Sequence, residues 1–172
     1  MPIPLDSEKK AKIKELARLA AECFNDEQPY IDLTRAAADI CDADIALISI
    51  HDGDRMWFRT RVGLGATEVP KKASFCECAM GFSDKLLVVE NAAEDPRFVS
   101  NPLVTGPLGI RFYVGAPLVI SNGQVLGNLC VLDSKPKKLD ADQMEMLQFL
   151  GKQVAAMLEK SKSYIPANHK IT

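Results

Sequence analysis

Apolar residues at helical spacing predict long helices at both ends of the chain. A first helix is expected over residues 7–24, where apolar side chains recur every three or four positions. A second is expected over about 31–41, and its alanines allow close packing against a sheet. The last is expected over about 140–161, where Asp140 and Gln143 form an Asp-x-x-Gln capping box.

Between these helices the pattern changes to short apolar or alternating runs, which are typical of strands. Residues 45–50 are almost wholly apolar, as in a buried strand. Residues 56–62 alternate, so successive side chains are expected on opposite faces of a sheet. The alternation predicts two sets: Trp57, Arg59 and Arg61 on one face, and Phe58, Thr60 and Val62 on the other.

A second hairpin is predicted near the end of the strand region. Its strands, 111–120 and 125–132, flank Asn122-Gly123, a dipeptide whose residues tolerate positive φ in a tight turn. Pro117 cannot donate a hydrogen bond to a neighbouring strand. Its strand is therefore expected to be an edge, or to be bulged, at that point.

The remaining segments complete an α+β arrangement. A short strand is expected at 86–89, a loop at 63–72 and a short helix at 74–80. Residues 92–107 are expected to be irregular, or helical in short pieces, because three prolines interrupt them. Strands grouped by hairpins, with helices at both ends, predict a central antiparallel sheet of five or six strands covered by helices on one face.

Composition and charge narrow the class of protein. The chain has 172 residues, 47% of them hydrophobic and 26% charged, with a formal net charge of -2. This balance gives no electrostatic footprint for nucleic acid, and no apolar run is long enough for a membrane span. The N-terminus lacks the apolar middle of a signal peptide, so a cytoplasmic location is expected. One domain over 1–172 is expected, with its core at about 28–162 and a loose tail at 163–172.

Four segments, taken in order, resemble the GAF domain family, a sensor fold akin to PAS domains. They are residues 45–65, the run Ser74-Phe-Cys-Glu-Cys-Ala-Met80, residues 87–104 and residues 109–133. The similarity is greatest to GAF domains attached to bacterial histidine kinases and diguanylate cyclases. It implies a ligand cavity between the sheet and the loops on its second face. It also implies a homodimer through the terminal helices and a possible signalling effector protein as partner.

The resemblance also implies which side chains lie on the cavity side. The chain departs from close relatives at Glu77 and Cys78, where many have a small residue followed by His. The signature of cyclic-nucleotide-binding GAF domains and the Cys-His dipeptide that anchors bilin are both absent, so the ligand or cofactor stays unknown. The implied ligand-binding residues are Phe75, Cys76, Cys78, Asp95, Arg97, Phe98, Arg111 and Tyr113.

Each candidate also has a plainer interpretation. Cys76 and Cys78 are consistent with core packing, with a redox pair or with two ligands of a soft metal. Guanidinium groups at Arg97 and Arg111 suit an anionic ligand, but they also suit ties between the loop and the sheet, with Asp95 capping a short turn.

Three functional hypotheses follow. The first is a non-catalytic sensor that binds a small ligand and signals through a helical dimer. The second is a thiol-based redox enzyme or sensor, similar to free methionine sulfoxide reductase, that uses Cys76 and Cys78. The third is a structural dimerisation module whose cavity is filled by side chains. Extra apolar positions on the terminal helices indicate either a partner helix or a broader cover over the sheet: Leu19, Cys23, Met146 and Phe149.

Overall fold

A computed structural model describes residues 7–52, 55–63, 68–70 and 85–161. Six antiparallel strands form one sheet in the order β3-β2-β1-β6-β5-β4, as expected for an α+β fold. The elements in chain order are α1 (Ser7–Ala21), α2 (Glu27–Cys41), β1 (Ile45–Asp52), β2 (Arg55–Val62), β3 (Glu68–Pro70), β4 (Leu87–Val89), a 3-10 turn (Ala92–Glu94), α3 (Pro102–Thr105), β5 (Phe112–Val119), β6 (Val125–Asp133) and α4 (Ala141–Ser161).

The long helices cover one face of the sheet in two layers. Helices α2 and α4 lie directly on the strands, and α1 packs mainly on these two helices. Gln143 of α4 donates to the Ile40 carbonyl at 2.9 Å, and Gln153 donates to the Ala17 carbonyl at 3.1 Å. The helices therefore cover one face of the sheet, as predicted, and α1 forms the outer layer of that cover.

Helix boundaries follow local chemistry. The capping box of α4 is confirmed, because the Asp140 N–H donates to the Gln143 side chain and the Gln143 N–H donates to the Asp140 carboxylate, both at 2.8 Å. Helix α2 begins at Glu27, four residues before the prediction. Pro29 falls in its first turn, where a missing N–H breaks no intrahelical hydrogen bond.

A β-bulge in β2 overturns the predicted alternation. Ile48 of β1 pairs with Thr60, but the next residue, Ser49, pairs with Phe58, so Arg59 is the extra residue. Beyond the bulge, the residues that face each side of the sheet are shifted by one position. Phe58 faces away from the helices, and Thr60 contacts Thr34 of α2.

The bulge directs the Arg59 side chain towards α2. The side chain is 4% exposed, and its guanidinium lies 4.5 Å from the centre of the Tyr30 ring and forms an ion pair with Glu27. The Tyr30 hydroxyl donates to the Phe24 carbonyl at 2.6 Å, and burial raises the pKa of this phenol. A buried cation beside an aromatic ring thus joins β2 to α2.

The edges of the sheet account for two prolines. Strand β3 lies within the segment predicted as a loop, and this prediction was wrong. Three residues ending in Pro70 carry no alternation signal, and an edge position tolerates proline. The prediction for Pro117 is confirmed. Strand β4 pairs with β5 only at 113–115, and a register shift follows Leu118.

Within the described ranges every helix is too short or too polar for a membrane span.

Candidate functional site

The sheet separates two apolar cores, and the predicted cavity side carries the second one. The helix-side core contains alternate residues of the central strands together with α2 and α4. On the opposite face, loop residues after β4 pack on strand residues. Phe98 and Tyr113 belong here and are 3% and 0% exposed. The loop-side core consists of Ile45, Leu47, Phe58, Leu87, Val89, Ala92, Phe98, Val104, Ile110, Tyr113, Cys130 and Leu132.

A set of buried polar side chains lies at the centre of this face. It consists of Ser49, Tyr113, Asn128 and Cys130, each 0% exposed, and is called here the buried polar set. The Tyr113 hydroxyl is 3.3 Å from the Cys130 sulfur, and the Ser49 hydroxyl is 3.9 Å from the same sulfur. Ser49 also donates to the Asn128 carbonyl at 3.3 Å. Polar groups are costly in a core unless they are hydrogen-bonded, and these four lie close together on the loop side of the sheet.

Gly115 makes room for the Tyr113 ring. Both residues point to the loop side, because side chains two apart on a strand share a face. A Cβ atom at position 115 would lie 2.3 Å from the Tyr113 hydroxyl oxygen. Only glycine therefore lets this ring lie along the strand and reach Cys130.

Asp95 and Arg97 bind each other. The Asp95 carboxylate accepts from the Arg97 backbone N–H at 2.9 Å and from its guanidinium at 3.0 and 2.7 Å. These hydrogen bonds lower the pKa of Asp95. The Arg97 guanidinium also lies 5.1 Å from the centre of the Phe98 ring. The arrangement matches the plainer interpretation, in which the pair shapes the loop.

Arg111 ties the loop to the start of β5. Its guanidinium donates to the Val104 and Ile110 carbonyls, both at 3.0 Å. Asn91 and Asn101 cap the short helices of the loop, each accepting from a backbone N–H two residues on. These hydrogen bonds stay within the loop and its junction with β5, and the short helices at Ala92–Glu94 and Pro102–Thr105 confirm the predicted short helical pieces.

The structure brings together only part of the predicted set of site residues. Tyr113 and Phe98 share the loop-side core, while Asp95, Arg97 and Arg111 stabilise the loop above it. Their contact with a ligand stays a prediction. The predicted residues Phe75, Cys76 and Cys78 lie outside the described residues.

The predicted ligand-binding residues do not include three members of the buried polar set: Ser49, Asn128 and Cys130. A signal for them exists, because Ser49 and Asn128 each interrupt an otherwise apolar buried strand. A single polar residue in such a run marks a place where a side chain needs a partner.

The described cysteines differ in exposure. Cys23 is exposed, whereas Cys41 and Cys130 are buried, and none of these three forms a disulfide. Burial raises the pKa of Cys41 to about 12, so this thiol is not a nucleophile near neutral pH. Among the described residues no cluster of three His, Cys, Asp or Glu side chains is arranged to hold a metal ion.

Comparison with known proteins identifies the family. A family model described as GAF domain matches residues 27–158, which is most of the chain. The chain belongs to the GAF domain family. The resemblance predicted from sequence is confirmed, and with it the assignment of this chain to a family of sensor and regulatory modules.

This GAF domain is also similar to individual proteins. It is 38% identical over 142 residues to a cyclic di-GMP phosphodiesterase of Pseudomonas aeruginosa, a match that covers 81% of the chain but 24% of that protein. The chain therefore spans about a quarter of the curated relative it matches.

Solved structures share the fold at low identity. The free methionine-R-sulfoxide reductase of Neisseria meningitidis superposes with a TM-score of 0.69 at 17% identity, over 93% of this chain and 96% of that one. The GAF domain of an Acinetobacter phosphoenolpyruvate-protein phosphotransferase gives 0.65 at 17% identity, over 88% and 96%. One is an enzyme and the other is part of a phosphotransferase, so these likenesses establish the architecture alone.

Proposed function

We propose that this GAF domain is a non-catalytic sensor that binds a small ligand on the loop side of its sheet. The observation that carries the proposal is the buried polar set. Its hydroxyl, amide and thiol groups are uncharged hydrogen-bonding groups, and two of its members, Tyr113 and Cys130, share a core with residues of the loop that follows β4. Sites for small molecules typically combine apolar walls with a few such groups. A small, largely neutral ligand fits this chemistry best.

Strands β5 and β6 supply a route from the ligand to the long helices. Tyr113 belongs to the loop-side core, and its neighbour Val114 belongs to the helix-side core. Further along β5, Ala116 lies so close to α4 that a Cβ atom at Gly151 would be 3.0 Å from its own. The turn after β5 is tied to the end of α4, because the Ser121 N–H donates to the Glu159 carboxylate at 3.1 Å. Displacement of this hairpin would therefore move α4.

The output of the sensor would pass through the terminal helices. We propose a homodimer at these helices and regulation of a signalling enzyme, in the same polypeptide or in a partner. The similarity to part of a cyclic di-GMP phosphodiesterase favours an enzyme of cyclic di-GMP turnover as the regulated activity. Any shift that a ligand causes is limited by its difference in affinity for the two states.

Native mass spectrometry of the purified chain tests the ligand directly, since it reports retained small molecules and oligomeric state together. Tyr113→Phe removes the hydroxyl next to Cys130, and we expect it to reduce the retained fraction. The matched control is Tyr30→Phe, which removes a buried hydroxyl from the helix-side core. Equal retention in both variants, or no retained molecule in the wild-type chain, would count against a ligand at the buried polar set.

Hydrogen exchange then tests coupling. With the molecule identified by mass spectrometry present at saturation, protection should increase both in residues 90–111 and in α4. A change confined to the loop would show that the ligand binds without reaching the output helix.

A further inference from the structure

The turn between β5 and β6 contains an asparagine that is open to chemical modification. Of the six asparagines in the sequence, only Asn122 is followed by glycine. Asn122 and Gly123 are both exposed. Because glycine has no side chain, its backbone nitrogen can approach the side chain of the preceding residue more easily than any other. Loss of the Asn122 side-chain amide is therefore sterically favoured at this position.

The reaction needs only water. The Gly123 backbone nitrogen gives up its proton and bonds to the side-chain carbon Cγ of Asn122. The bond from Cγ to the amide nitrogen breaks, and ammonia leaves with that proton. Water then opens the five-membered imide to aspartate, or to isoaspartate, in which the main chain runs through the side-chain carbon. Nothing is oxidised or reduced, and the product carries a carboxylate in place of the amide.

Two hydrogen bonds oppose this attack while the turn is closed. The Gly123 N–H donates to the Ile120 carbonyl at 2.9 Å, and the Asn122 side-chain oxygen accepts from the Gln124 N–H at 2.8 Å. The first must break before the nitrogen can lose its proton, and the second fixes the side chain that is attacked. The reaction rate therefore depends on how often the turn opens locally.

The end of α4 holds this turn in place. The Glu159 carboxylate accepts from the Ser121 N–H at 3.1 Å and also from the Ser121 hydroxyl. Ser121 directly precedes Asn122, so the contact with the helix restrains the residue next to the site of reaction. We propose that Asn122 is a modification site whose conversion to aspartate or isoaspartate is controlled by the contact between Ser121 and Glu159.

The product would weaken the contact that controls its formation. A carboxylate at position 122 would lie beside the residue that binds Glu159, and like charges repel each other. Isoaspartate would also lengthen the main chain of the turn. Modification would therefore loosen the connection between the hairpin and α4. The modification itself does not depend on a ligand, whereas its effect on signalling rests on the proposed function, in which this hairpin moves α4.

Peptide mapping by mass spectrometry tests the site. The folded wild-type chain is incubated at mildly alkaline pH, and we expect the Asn122 peptide to convert while the Asn25 and Asn101 peptides stay unchanged. Asn25 is also exposed but is followed by Asp26, and Asn101 is followed by Pro102, which has no N–H. An Asn122 peptide that stays unchanged, or converts no faster than the Asn25 peptide, would overturn the site.

Two substitutions at Glu159 test the control by α4. Glu159→Ala removes both contacts with Ser121, and we expect the Asn122 peptide to convert about fivefold faster than in the wild-type chain, which corresponds to the usual net value of one hydrogen bond. Glu159→Gln is the matched control, because it removes the charge but keeps an acceptor oxygen for Ser121, and its rate should stay close to that of the wild-type chain. Equal acceleration in both variants, or in neither, would overturn the control by this contact.

Hydrogen exchange tests the effect on α4. Asn122→Asp should raise exchange in residues 158–161 relative to Asn122→Ser, which is uncharged and keeps an oxygen for the Gln124 N–H. Equal exchange in the two variants would overturn the effect on α4. None of these measurements uses a ligand, so their failure leaves ligand binding to the Tyr113→Phe experiment, and failure of that experiment leaves this modification site standing.

Discussion

Gly115→Ala tests the packing that places Tyr113 in the buried polar set. The new Cβ would lie 2.3 Å from the Tyr113 hydroxyl oxygen and 3.0 Å from its ring carbon Cζ, so the ring must move. Overpacking of this kind costs about 1–3 kcal/mol. Loss of the contact with Cys130 adds about 1 kcal/mol, the usual net value of a hydrogen bond. We expect the free energy of unfolding to fall by about 2–4 kcal/mol, the sum of these two contributions.

The measurement is equilibrium unfolding in urea, followed by circular dichroism, for Gly115→Ala, Tyr113→Phe and the double variant. Tyr113→Phe removes the atom at 2.3 Å but leaves the contact at 3.0 Å. The double variant should therefore be more stable than additivity predicts, by about 1 kcal/mol. Gly115→Ala combined with Tyr30→Phe is the control and should be additive. Additive losses in both double variants would refute the proposed clash.

Three further predictions concern the rest of the fold. Gly127→Ala should strongly lower the melting temperature, since its Cβ would lie 1.8 Å from the Ser49 carbonyl oxygen, and an unchanged melting temperature would contradict the close approach of β1 and β6. Glu27→Ala should lower the free energy of unfolding in urea by about 1–2 kcal/mol, which is less than for a fully buried ion pair because solvent reaches Glu27. Arg59→Met should lower it by less than Glu27→Ala does, because it leaves no buried charge unpaired. Burial raises the pKa of Cys41 from 9.0 to about 12. The protonated Cys41 thiol therefore makes its full contribution to stability below pH 9.0, and this contribution is lost as the pH rises towards 12. Cys41→Ala should remove that part of the pH dependence of unfolding, and an unchanged profile would contradict it.

Local signals in the sequence predicted the helices and most strands well. The capping box at Asp140 and Gln143 fixes the start of α4 through contacts between near neighbours, and such contacts can be read directly. The start of α2 was placed too late, because Pro29 was interpreted as a break rather than as a residue of the first turn. The GAF assignment came from the resemblance, and the order of the strands within the sheet was not predicted.

Features that depend on partners distant in sequence could not be predicted. The bulge at Arg59 arises where β2 both pairs with β1 and contacts α2. The alternation of residues within β2 gives no information about these two contacts. The buried polar set joins Ser49 to Cys130, 81 residues away. Periodicity placed both residues on strands, but only the pairing of β1 with β6 brings them together.

The separation of the two cores by a single sheet has a consequence for how such domains diversify. Residues that hold the long helices in place and residues under the loop belong to different sets, although they alternate along the same strands. Substitutions on the loop side can therefore accumulate while the helix-side core is kept. This separation agrees with the shared architecture of two solved structures that are each 17% identical to this chain.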